Sequence, residues 1–246
     1  MEKVIAVLRR AEFEDDWCAR LRGPVADQLA GLDPGLDPGF DIAGLSINVR
    51  DSAVRESLMT LTTLDPPVAA VVSLWTQQCY GEQTTAALRL LADECEQFAA
   101  YLVTESVPLA APEFEPGSRT TGLANIALLR RPADLDQATW LNRWQLDHTP
   151  VAIETQSTFG YTQNWVVRAL TPDAPGIDAI VEELFPLAAV SDLRAFFGAS
   201  DDADLQHRVG RMVASTTAFG ANQNIDTVPT SRYVISTPWN DRIGER

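Results

Sequence analysis

The chain has 246 residues, an apolar fraction of 46% and a formal net charge of −15. It is long and apolar enough for one large domain or two of about 120 residues, which excludes a disordered polymer. Its acidic excess opposes nucleic-acid phosphate and anionic membrane surfaces as partners.

The opening MEKVIAVLRR has too short an apolar run for a secretory leader, and no stretch approaches the ~18 apolar residues of a membrane span. Cys18, Cys79 and Cys95 are odd in number and lack ligand-like spacing, so no disulfide framework and no metal site are expected. A reducing, cytoplasmic setting follows as the expectation.

In chain order, VIAVLRR (4–10) reads as a strand, and the acidic EFEDDWCARLRGPVA opens a helix. GLDPGLDPGFD (31–41) reads as a pair of turns in a surface loop. It lacks the alternating oxygen ligands and closing glutamate of a calcium loop. GLSINVR (44–50) and VAAVVSLW (68–75) follow as strands, TTAALRLLADECEQFAAY (84–101) as a helix, and YLVTESVP (101–108) as a strand.

After a Pro, Gly and Ser-rich linker at 111–122 the series starts again. NIALLRR (125–131) repeats the first strand and ADLDQATWLNRWQLDHTPVA the helix. GYTQNWVVR (160–168) and IDAIVEELF (177–185) repeat the next two strands. A helical stretch at 190–216 is interrupted at Gly198, and YVISTP (233–238) closes the series. Two homologous halves, 1–110 and 123–246, are therefore expected. Each is a ferredoxin-like βαββαβ unit of an α+β fold with one bare sheet face. Packing those faces together would make a monomeric pseudo-dimer, the two-sheet barrel that other chains form as homodimers.

The stretch from Asn125 to Val167 resembles the opening of EthD-like proteins: a strand ending in Arg130, Trp144 ahead of the H-x-P triplet His148–Pro150, and the Y-x-Q-N strand of Tyr161, Gln163 and Asn164. Glu182, three residues before Phe185, matches the third strand, and the likeness spans roughly 123–238. The resemblance implies a dimeric α+β barrel. That superfamily includes cofactor-free decarboxylases, cyclases and monooxygenases of aromatic or polyketide-like molecules, and also haem proteins.

Trp140, Trp144 and His148 recur every four residues and so share a helix face, while Pro150 should kink or end the helix. Burial against tryptophan would hold the imidazole neutral, and Glu182 is the expected carboxylate beside it. Tyr161 and Gln163 face one side of their strand, Asn164 and Arg168 the other.

The expected set is thus His148, Glu182 and Tyr161 as catalytic groups, with Trp144, Trp140 and Asn164 against a small hydrophobic or aromatic substrate. Structural alternatives stand beside each: a helix-end histidine on a carbonyl, core tryptophans, a glutamate paired with an arginine, a packing tyrosine. His207, among charges, belongs on an exposed face.

The halves differ where this chemistry would lie. Seven positions separate Trp17 from Pro24 and ten separate Trp140 from Pro150, and Leu45 and Val72 stand at the tyrosine and glutamate positions. Joint loss of polar residues points to one site, in the second half.

The expected activity is cofactor-independent proton transfer by a lyase or cyclase. The alternatives are a cofactor-free or haem-dependent oxygenase with His148 as axial ligand, and a non-catalytic binder. Glycine-rich phosphate loops, HExxH and a nucleophile elbow do not occur.

Overall fold

The computed structural model of the chain describes residues 1–32, 42–113 and 115–238. The duplicated LDPG turns lie almost wholly at 33–41, outside the described residues.

The first half runs β1 (Glu2–Arg9), α1 (Asp15–Arg20), α2 (Ala26–Ala30), β2 (Ile42–Val49), β3 (Val68–Thr76), α3 (Glu82–Ala92) and β4 (Gln97–Leu109). The second runs β5 (Leu123–Leu129), α4 (Gln137–Leu141), α5 (Thr149–Thr155), β6 (Gly160–Ala169), β7 (Ala179–Phe185), α6 (Leu193–Phe197), α7 (Asp202–Phe219) and β8 (Asp226–Ser236). The eight strands close into one antiparallel barrel in the order β1-β3-β2-β8-β5-β7-β6-β4. Each half contributes the ferredoxin-like order 4-1-3-2, and the seams are β2–β8 and β4–β6. No helix among the described residues is long and apolar enough to cross a membrane.

Side chains alternate between the lumen and the helices. Ile5, Val7, Val71, Tyr101, Val103, Ile126, Leu128 and Ile180 form an apolar cluster within the barrel. The lumen also holds charge. Lys3 pairs with Glu105, and Arg232 Nε lies 2.9 Å from Glu182 Oε1. Burial lowers the Lys3 pKa while Glu105 and Glu182 oppose the shift, which puts these charges in one neighbourhood.

Two expected helices differ. The helix read over 84–101 stops at Ala92, and Phe98–Tyr101 belong to β4. A strand buried on both faces is continuously apolar and cannot be told from a buried helix by periodicity. Pro150 neither ends nor breaks its helix, because residues Asn142–His148 form a π turn that runs straight into α5. The wide turn absorbs the hydrogen bond that proline cannot make. The Trp144 carbonyl accepts both the Thr149 N–H and, at 3.1 Å, the Thr149 hydroxyl. The first half uses the same device at Leu21–Val25, around Pro24.

Candidate active site

On the helix-facing side of the second-half sheet, three polar residues form one row across three strands. Asn125 of β5 lies opposite Glu183 of β7, and Glu183 lies opposite Tyr161 of β6. In the first half the same pairings join Val4, Leu74 and Leu45, all buried in an apolar cluster. One rank of the duplicated sheet is thus polar in one copy and apolar in the other.

The polar row forms one wall of a cavity of about 150 Å³ under the helices. Trp144, His148, Gln156 and Phe219 line the helical side, with Phe196 and Phe197 beside them. Met59 also reaches the wall, although it belongs to the first half. The β2–β3 loop carries it across: Leu58 N–H donates to the Val190 carbonyl at 3.0 Å, and Leu61 and Thr227 exchange backbone hydrogen bonds at 3.2 and 2.9 Å. Among the described residues no lysine or arginine lines the cavity.

Burial sets the electrostatics. It drives the His148 pKa down from 6.5 to about 4, so the imidazole is neutral at pH 7. It drives the Glu183 carboxyl up from 4.5 to about 8, so that group carries its proton. Tyr161 is raised by burial and then by Glu183, against the polar side chains of Trp144, Thr149 and Gln163 around its hydroxyl. His148 Nδ1 lies 2.9 Å from Ser215 Oγ, and its ring centroid is 4.8 Å from that of Phe219. Behind the wall, Gln163 Nε2 donates to Thr149 Oγ1 at 2.6 Å and ties the strand to the start of α5. Asn125 Oδ1 and Gln156 Oε1 are buried without a hydrogen-bond partner among the described residues.

Of the residues expected from sequence, His148, Tyr161 and Trp144 meet at this cavity. Trp140 packs against Trp144 at a centroid separation of 5.2 Å and is 1% exposed, a core position. Glu182 does not accompany His148. It points into the lumen and pairs with Arg232, because consecutive residues of β7 face opposite sides and the position across from Tyr161 is Glu183. Asn164 also faces the lumen, where its Nδ2 donates to the Ile180 carbonyl at 3.0 Å.

Sequence reasoning alone misses Glu183, Asn125, Gln156 and Ser215. Asn125 is legible in the repeat, since it stands where the first copy has Val4. The glutamate comparison is one residue out of step: Trp75 faces the lumen over Lys3 while Phe185 packs among Phe196 and Ala189, so the counterpart of Glu182 is Ser73, not Val72, and that of Glu183 is Leu74.

The residues do not fit haem at His148. A cavity of about 150 Å³ takes one aromatic ring and not a four-pyrrole macrocycle, and the imidazole is wedged between Ser215 and Phe219. Among the described residues no group of three or more His, Cys, Asp and Glu is placed to hold a metal ion.

No family model matches the sequence, and no curated protein matches it. Among solved structures, an anthrone oxidase-like protein superposes with a TM-score of 0.51 over 96% of this chain and 94% of its own, at 10% identity. A chlorite dismutase from Candidatus Nitrospira defluvii gives 0.47 over 94% and 90%, at 12% identity. The first likeness is one of fold: the chain is a dimeric α+β barrel built from a single polypeptide.

Proposed function

We propose that the chain is an EthD-like enzyme that moves a proton on a small aromatic or β-keto substrate without a cofactor, as a lyase or cyclase does. The observation that carries this reading is the opposite displacement of two groups on one cavity: a carboxyl that keeps its proton and an imidazole that lacks one at neutral pH. In the tautomer that donates from Nδ1–H to Ser215, His148 Nε2 is left as the acceptor. It takes the proton from a carbon beside a carbonyl while Glu183 donates its own proton to the carbonyl oxygen, giving a neutral enol. The protonated Nε2 then gives its proton to a second carbon, or to the departing oxygen of a leaving group, while the enol O–H returns its proton to Glu183 as the carbonyl re-forms, so both groups are restored. An imidazole titrating near 4 is a weak base, which suits a carbon acidified by two flanking carbonyl or aryl groups.

The test is hydrogen–deuterium exchange at the acidic carbon of a panel of aryl β-diketones in D₂O, followed by proton NMR. Wild type should accelerate exchange, His148→Ala and Glu183→Gln should each lose about 10²–10⁴-fold, and His207→Ala should match wild type. Binding without exchange across the panel would make the chain a carrier of the same ligands.

A further inference from the structure

We infer that the cavity accepts the end of its ligand that is uncharged and bears an O–H or N–H donor on a single ring, and that it rejects carboxylates. This rests on reading the cavity as the functional site, and it adds the class of ligand. Three observations converge on it.

The first is the pair of orphaned acceptors. Asn125 Oδ1 and Gln156 Oε1 are buried on the wall with no donor bonded to them among the described residues. An unsatisfied buried polar atom is disfavoured by about 1–3 kcal/mol, so a ligand O–H or N–H that reaches either atom gains what the protein leaves unmade. Asn125 has a specific history within this chain: its copy is Val4, so the fold needs no polar atom at that rank.

The second is the absence of a cation. Among the described residues an anion entering here would meet no lysine or arginine and a histidine that burial keeps neutral, with only the neutral donors of protonated Glu183 and Trp144 Nε1 to receive it. A desolvated carboxylate is tolerated only where a positive group or several donors compensate it. None of the lysines and arginines among the described residues is placed on this wall.

The third is size. About 150 Å³ bounded by Phe196, Phe197 and Phe219 takes one substituted ring, so any further part of a larger ligand must lie outside. A single bridging water could satisfy one orphan, which makes the comparison of ring compounds the deciding measurement.

Phenol, toluene and benzoate differ at one substituent and serve as the probes. Each is titrated into the full-length protein at pH 6.5 by isothermal calorimetry, with ligand-observed NMR for weak binding. Phenol should bind at least tenfold more tightly than toluene or benzoate. Asn125→Leu should erase its advantage over toluene while leaving toluene unchanged or tighter, and Gln156→Leu, at a less buried position, gives a second measurement if the first variant folds poorly. Toluene equal to phenol in wild type, benzoate equal or tighter, or no binding by any of the three would each overturn the inference. A protein with this preference that exchanges no carbon-bound proton would defeat the proposed activity and leave the ligand class standing. Exchange catalysed on a carboxylate-bearing ring would do the reverse.

Discussion

Tyr161 and Glu183 face each other across β6 and β7 as directly paired residues, both beneath the helices, and both are shifted by burial toward their protonated forms. Residues paired in this way hold their Cβ atoms about 5 Å apart, so a phenol and a carboxylic acid stand side by side on a rigid sheet. His148 faces the same cavity from the helical side, and its shift arises from burial alone, with no contribution from Glu183. The acid and the base thus face one cavity of about 150 Å³ from opposite sides, sheet and helix.

Stability should depend on pH in a way that separates the two. Glu183 has its pKa raised on folding, so the native state holds a proton that the unfolded chain releases between pH 4.5 and about 8. Its contribution is complete below 4.5 and falls as pH rises, by at most about 1.4 kcal/mol per unit. His148 has its pKa lowered, so the unfolded chain binds a proton that the native state refuses between pH 6.5 and about 4, and stability falls as pH drops through that window. The two slopes oppose each other from 4.5 to 6.5, and from 6.5 to 8 Glu183 acts alone. Urea denaturation across pH should show wild type losing ground to Glu183→Gln from 4.5 upward and to His148→Gln from 6.5 downward. Parallel pH profiles for wild type and variant would mean that the group titrates normally in the native state.

The adjacent glutamates should behave differently when each becomes glutamine. Glu182→Gln removes the carboxylate facing Arg232 in the lumen and should cost roughly 3 kcal/mol, with ligand binding at the cavity unchanged. Glu183→Gln keeps the shape, removes the ionisable group and should be neutral or stabilising at pH 8 while losing exchange activity. The melting temperature and the exchange rate, measured on both variants, test the assignment of faces. The opposite pattern would return Glu182 to the site.

Strand order is legible in the internal repeat, and the face shared by Trp144 and His148 is legible in their spacing. The choice between Glu182 and Glu183 is not. In AIVEELF both alternating sets, Ala179, Val181, Phe185 and Ile180, Leu184, are apolar, because β7 is buried on both sides and carries no polar face to orient it. Only the register with Tyr161 decides, and register is a property of pairing between strands. The persistence of the helix through Pro150 is hidden for a related reason: it goes with a π turn over Asn142–His148 and with a Thr149 side chain held by the Trp144 carbonyl and Gln163, which no spacing in the sequence announces.

Trp144 should be structural as well as cavity-lining. It is fully buried against Trp140, so Trp144→Ala should cost about 3–5 kcal/mol in chemical denaturation. Met59→Ala tests the loop from the first half. It enlarges the cavity and should admit p-cresol more tightly relative to phenol than wild type does, at about 2 kcal/mol or more of stability. An unchanged ratio of the two affinities would remove Met59 from the wall.

The last expectation concerns assembly. Every described strand has a neighbour on both sides, so the sheet offers a second copy of the chain no free edge. The surface that a single ferredoxin-like half buries by dimerising is here covered by the other half, through the β2–β8 and β4–β6 seams. The full chain should therefore scatter light as a monomer of 26.9 kDa at micromolar concentration. Residues 123–246 expressed alone would bare the edges of β6 and β8 together with Ile126, Leu128, Ile180 and Glu182, and should pair into a homodimer or aggregate instead of persisting as a folded monomer. The isolated half would also lack Met59, so even as a homodimer it should recover the cavity only if a second β5–β8 unit supplied an equivalent loop. The connection between β6 and β7 is 170–178, nine residues, against 50–67, eighteen, between β2 and β3. The shorter loop cannot reach across the barrel as the longer one does, so phenol binding by the isolated half should fall at least tenfold. A stable monomeric second half that binds phenol as tightly as the full chain would show that the first half contributes nothing to the site.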